Sequence, residues 1–177
     1  MTITSTFPRD GNRVPMTGHG FITEKTLTFT GSAATVATPI FTITGVVEIL
    51  KLGGVVLTAL ENHTDAHWRI NDQTATDQVI TKSTTLDLSD ISIGATIFKF
   101  GLAAAVAKYV TADAAVITEP TTLQTSLFTP FMMVQKTGGI QTDIEYVYTT
   151  SDEPTSGAIQ FRIGWLPLSD GATIEAS

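Results

Sequence analysis

Threonine is the most frequent residue of this chain, and over long stretches it alternates with apolar residues, as in Thr26-Leu27-Thr28-Phe29-Thr30 and Phe41-Thr42-Ile43-Thr44. Its branched Cβ stiffens χ1, which costs little on a pleated strand and more on a helix. A period of two sends alternate side chains to opposite faces, so each such block offers one apolar and one polar face. Blocks of this kind, rich in Thr, Val and Ile and cut by Gly and Pro, predict a β-sheet protein.

The pattern predicts strands over residues 22–30, 39–52 (a strand pair or one long strand) and 55–60, with Gly53-Gly54 as the turn before the last. Further strands are expected over 66–70, 79–81, 84–88, 95–100, 129–136, 143–150 and 158–166. The last of these alternates most regularly, with Ile159, Phe161, Ile163 and Trp165 against Gln160, Arg162 and Gly164. Residues 102–110 are alanine-rich and read as a strand or one helical turn. No stretch of ten or more residues carries a helical stripe. The expected fold is therefore all-β: a sandwich or jelly-roll-like barrel of about eight to ten strands.

Residues 1–20 differ from this body. Pro8, Gly11, Pro15, Gly18 and Gly20 are separated by mostly polar residues, and neither strand nor helix periodicity runs through them. Such a segment cannot bury a face of its own and is expected to form an extended N-terminal arm. The single body then spans residues 21–168, and residues 169–177 read as a polar, peripheral C-terminal tail.

Composition narrows the functions. A length of 177 residues suffices for one domain with a full core. Net charge is −7, and the ten basic residues are scattered, so a nucleic-acid partner is not expected. Cysteine is absent, which excludes disulfides, thiolate metal sites and a Cys nucleophile. The most apolar windows, 46–60 and 97–110, are interrupted by Glu48, Lys51, Lys99 and Lys108. They fall short of the ~20 apolar residues of a bilayer-crossing helix and read as buried strands, with no membrane partner. The first ten residues lack the basic start and apolar run of a secretory signal.

The best metal candidate is His63, Asp65 and His67, since positions i, i+2 and i+4 of a strand share a face and two imidazoles with a carboxylate suit Zn²⁺. However, residues 61–65 also read as a turn, which would spoil that face and leave the histidines in water. No Gly-x-Ser-x-Gly elbow is present, and the glycine pairs at 53–54 and 138–139 open no helix, so neither a hydrolase nucleophile nor a phosphate cradle is expected. The carboxylate pairs Asp87/Asp90 and Asp152/Glu153 fall at turns, where solvated acids are ordinary. Phe128, Phe131, Tyr146, Tyr148, Phe161 and Trp165 mostly occupy alternating strand positions and read as core. The expectation is a non-enzymatic protein without a cofactor.

The run Arg9-Asp10-Gly11-Asn12-Arg13-Val14-Pro15 resembles a short arm motif of small virion proteins of tailed bacteriophages. The stretches 37–48, 67–72, 144–150 and 157–168 also resemble phage structural proteins. The resemblance implies a virion component, foremost a capsid decoration or cement protein, assembled in the bacterial cytoplasm. Such proteins are commonly sandwiches or jelly rolls that form trimers or other homo-oligomers. On this reading Phe7, Arg9, Asn12, Arg13, Val14 and Pro15 contact the partner, which is the major capsid protein or a neighbouring virion subunit. Arg9 and Arg13 put positive charge on the arm of an acidic chain, suiting an acidic surface. A neck or tail accessory protein and a carbohydrate- or receptor-binding fibre module remain open alternatives.

Overall fold

The structure is a computed structural model; it describes residues 20–29, 35–61, 63–73, 78–81, 88, 91–99, 108–110, 130–150 and 157–177. The expected arm, residues 1–19 with Phe7, Arg9, Asn12, Arg13, Val14 and Pro15, lies outside the described residues, as do Asp87, Asp90, Asp152, Glu153 and Phe128.

The described residues are all-β, with no helix among them. In chain order the strands are β1 (Phe21–Thr28), β2 (Thr35–Thr44), β3 (Val46–Thr58), β4 (Thr64–Asn71), β5 (Gln78–Val79), β6 (Thr96–Phe98), β7 (Lys108–Val110), β8 (Phe131–Val134), β9 (Thr142–Thr149), β10 (Ala158–Pro167) and β11 (Thr173–Ala176). They form two antiparallel sheets. The first runs β1-β10-β3-β6-β7, with β8 pairing the opposite half of β3's free side; the second runs β11-β2-β9-β4-β5. The fold is a sandwich.

The alternation of β10 dictates the packing. Ile159, Phe161, Ile163 and Trp165 are buried, and they meet Phe41, Ile43, Trp68, Ile144 and Tyr146 of the second sheet in one core. Burying a side chain of this size contributes about 1.5–3 kcal/mol, so the ladder of apolar positions is what joins the layers.

Four register irregularities interrupt the ladders, and three of them bear on which residues face inward. Trp165 pairs Ile49 while Gly164 pairs Lys51, so Leu50 is an extra residue and the buried set of β3 changes from Val47 and Ile49 to Leu52 and Val56. Ile40 is the extra residue between Pro39 and Phe41 of β2. In β4, Thr64 pairs Thr149 but His67 pairs Val147, and Asp65 between them has φ 54°. Each is a β-bulge, which inserts a residue and re-aims those that follow.

Two expectations are corrected. Gly53-Gly54 does not turn the chain: β3 runs straight through it, and the chain turns instead at Gly45, at φ 70°, where it passes from β2 in the second sheet to β3 in the first. The pair is needed because neighbours press on the strand from both flanks. A Cβ on Gly53 would lie 2.7 Å from the Ile97 carbonyl oxygen, and one on Gly54 2.7 Å from Ile159 Cγ2. Glycine within a strand marks this kind of close approach as readily as a turn. Residues 173–176, within the segment 169–177 read as a polar, peripheral tail, form the edge strand β11, with Ile174 buried in the core.

Candidate interaction surface

The proposed metal set does not assemble. The bulge at Asp65 breaks the shared face: His63 is wholly buried, Asp65 is exposed, and His67 lies on the outer side of the second sheet beside Val147. His63 Nδ1 donates to the Glu61 carbonyl at 2.8 Å, and His67 Nδ1 lies 2.8 Å from the Asp65 carbonyl. Among the described residues no group of three or more His, Asp or Glu side chains is placed to hold a metal ion.

His63 instead belongs to an aromatic cluster. Its ring stacks on Tyr148 and meets Phe29 edge-on, and Tyr146 continues the cluster to Phe161 and Trp68. Burial lowers the His63 pKa and raises those of Tyr146 and Tyr148. His63 Nε2, Trp68 Nε1 and the Tyr146 hydroxyl have no hydrogen-bond partner among the described residues. Trp68 and Trp165 are both buried, so neither presents the exposed face that a sugar-stacking platform needs.

The outer face of the second sheet holds a polar network that the sequence reading missed. Asp143 and Glu145 alternate with Ile144 and Tyr146 on β9, yet both carboxylates are buried. Glu145 accepts from Arg69 Nε at 2.7 Å and from Asn71 Nδ2 at 2.8 Å. Asp143 accepts from the Thr42 hydroxyl at 2.6 Å and from Gln141 Nε2 at 2.8 Å. Donors from β2 and β4 flank the central strand on both sides, so these acids serve to order the sheet.

The surface with the character of a binding site lies along one seam of the sandwich. The seam between β1 and β11 is sealed. Thr23 donates to the Ile174 carbonyl at 2.9 Å while accepting from Trp165 Nε1 at 3.1 Å, and Lys25 Nζ donates to the Ser177 carbonyl. Among the described residues the opposite seam, between β8 and the β4–β5 edge, is uncovered. A groove of about 270 Å³ runs there, lined by Met132, Met133 and Val134 of β8 together with Ile70, Asp72, Gln78, Lys136 and Thr142. Lys136 crosses it at one end, donating from Nζ to the Asp72 carbonyl at 3.1 Å.

Strand β8 borders this groove. Four consecutive apolar residues, Phe131-Met132-Met133-Val134, must split between two faces. Met133 enters the core and Phe131 packs against it, so Met132 and Val134 face outward, 71% and 62% exposed. Among the described residues β8 pairs with β3 alone, and its outer edge carries neither Lys nor Pro to discourage a further strand. Val79 and Ile140, also exposed, extend the apolar surroundings. The sequence places a strand over 129–136, but the apolar run in it does not by itself tell a central strand from an edge.

Compared with protein-family profiles, curated proteins and solved structures, the chain matches none.

Proposed function

We infer that the protein is a structural component of a tailed-phage particle, a decoration or cement protein that binds the shell surface and spans subunit junctions through its N-terminal arm. The seam at β8 supports this reading: among the described residues the sandwich is closed along one edge and leaves β8 and its groove uncovered along the other. Exposed apolar edges are pairing templates in any β protein, and a part built to sit among other subunits has a use for one. The resemblance of residues 9–15 and of the body segments to phage structural proteins supports the same reading. The acidic, cysteine-free chain suits assembly in a reducing cytoplasm.

The mechanism is mechanical. The sandwich covers a junction, and the arm grips a neighbour, spreading load across the contact. Incubating phage capsids with the full chain and with residues 21–177 tests this. The shortened chain is expected to stay folded and to lose the shell; equal occupancy by both would overturn the arm mechanism.

A further inference from the structure

We propose that the outer face of the first sheet packs against the same face of a second copy of this chain in a closed two-fold dimer, with Glu48 of each copy paired to Lys51 of the other. The dimer depends neither on the N-terminal arm nor on the virion reading.

That face has two unlike halves among the described residues. In one half Arg162 holds Glu24 at 2.7 Å, Gln160 Nε2 donates to Glu24 at 3.1 Å, and Thr26 stands opposite Gln160. An antiparallel sheet that shows one face to water is expected to look like this. The other half is apolar. Met132 and Val134 of β8 lie opposite Glu48 and Val46 of β3, Leu166 of β10 lies opposite Glu48, and Ile22 of β1 lies opposite Gly164. Ile22, Met132 and Val134 are exposed, and Val46 and Leu166 are half-buried; none of the five enters the core. Apolar side chains scattered singly on a surface need no partner, whereas a block continuous across four strands marks an interaction site.

The block is also flat. The bulge at Leu50 leaves Leu50 and Lys51 side by side outside the core. Gly164 presents no side chain, and the stem of Lys51 lies across it: a Cβ on Gly164 would be 2.8 Å from both Cγ and Cε of Lys51. A level face of this kind suits packing of sheet on sheet, about 10 Å apart.

The charges name the occupant. Glu48 and Lys51 are the ionic side chains of the apolar half, and neither has an ion pair among the described residues. With Glu24 and Arg162 they leave this face neutral among the described residues, in a chain of net charge −7. Two copies therefore approach here with less repulsion than elsewhere on the surface. In a two-fold interface, a residue that meets a second one on the partner is met by it in return. An axis lying between the two sheets and crossing the strands at the level of Leu50 brings each Glu48 over the partner's Lys51. The same axis lays Leu166 over the partner's Gly164, on the methylenes of the partner's Lys51. One surface thus supplies both charges of both pairs.

Charge exchange on the full chain tests this. The parent is expected to sediment as a dimer. E48K and K51E each set like charges against one another at both pairs, so each alone should weaken the dimer at least ~10-fold with the circular dichroism of the parent. The double variant E48K/K51E should restore it. Mixed together, the two single variants present two positive side chains on one copy and two negative ones on the other. Native mass spectrometry should then show the mixed dimer in excess over either homodimer. A parent that stays monomeric, a trimer in place of the dimer, or single variants that dimerise as tightly as the parent would overturn the proposal. So would mixed dimers no more abundant than random pairing gives. As a second measurement, M132K/V134K, altered only at exposed positions, should keep the fold and lose the dimer; undiminished association overturns the packing.

Discussion

The imidazole of His63 stacks on the ring of Tyr148, with centroids 4.6 Å apart and planes 17° from parallel. Its Nδ1–H is committed to the Glu61 carbonyl, so the nitrogen left inside the core, Nε2, carries the lone pair. Protonation would place a charged N–H there with no acceptor among the described residues.

Stability is therefore expected to depend on pH through this ring. Burial lowers the folded-state pKa of His63 below its unfolded value of 6.5, so the unfolded chain takes up the proton first. The stabilising contribution is complete above pH 6.5 and is lost as pH falls toward the folded pKa, with a slope of up to about 1.4 kcal/mol per pH unit. Urea unfolding between pH 7.5 and 5.5 should show that loss, and H63F should flatten it. A variant as pH-sensitive as the parent would contradict the assignment.

A second expectation concerns Tyr146, whose hydroxyl is buried without a partner among the described residues. Removing an unsatisfied polar atom relieves its desolvation cost. Y146F should match the parent within about 0.5 kcal/mol or exceed it. A loss greater than ~1 kcal/mol on denaturant unfolding would mean that the hydroxyl is hydrogen-bonded.

The two arginine–glutamate pairs should differ. Both are 2.7 Å long, but the Glu145 side chain is 5% exposed, whereas Arg162 and Glu24 are 52% and 41% exposed. R69A leaves a buried carboxylate with less support and should cost about 2–3 kcal/mol, Asn71 still holding one oxygen. R162A should cost less than ~1 kcal/mol and be insensitive to salt once the pair is gone. Equal losses in chemical denaturation would contradict the burial argument.

The glycines of β3 offer a fourth check. G53A brings a methyl against the Ile97 carbonyl, which is backbone and moves only if β6 moves. The expected cost is about 1–3 kcal/mol, read as a lowered urea midpoint. An unchanged midpoint would mean that β6 is free to draw away from β3.

These positions also show what the sequence made legible. The period-2 alternation of Ile159, Phe161, Ile163 and Trp165 named the buried face of β10 and, with the threonine blocks, the fold class. Gly53-Gly54 was misread because a glycine pair looks the same at a turn and at a close approach, and the deciding atoms belong to Ile97 and Ile159, far along the chain. The burial of Asp143 and Glu145 was not legible in the sequence, because Thr42, Arg69 and Asn71, which hold them, are contributed by other strands. His63 and His67 kept the spacing of a shared face, yet one bulge at Asp65 sent them to opposite sides. Local periodicity carries strand identity; it does not carry register, bulges or edges, and the open seam at β8 depends on all three.

The central claim is that this polypeptide is built into a phage particle. Quantitative mass spectrometry of density-purified particles, with the unassembled lysate as reference, tests it most directly. The account predicts the chain in the particles at a fixed ratio to the major shell subunit. Its presence in the lysate and absence from the particles would contradict the account.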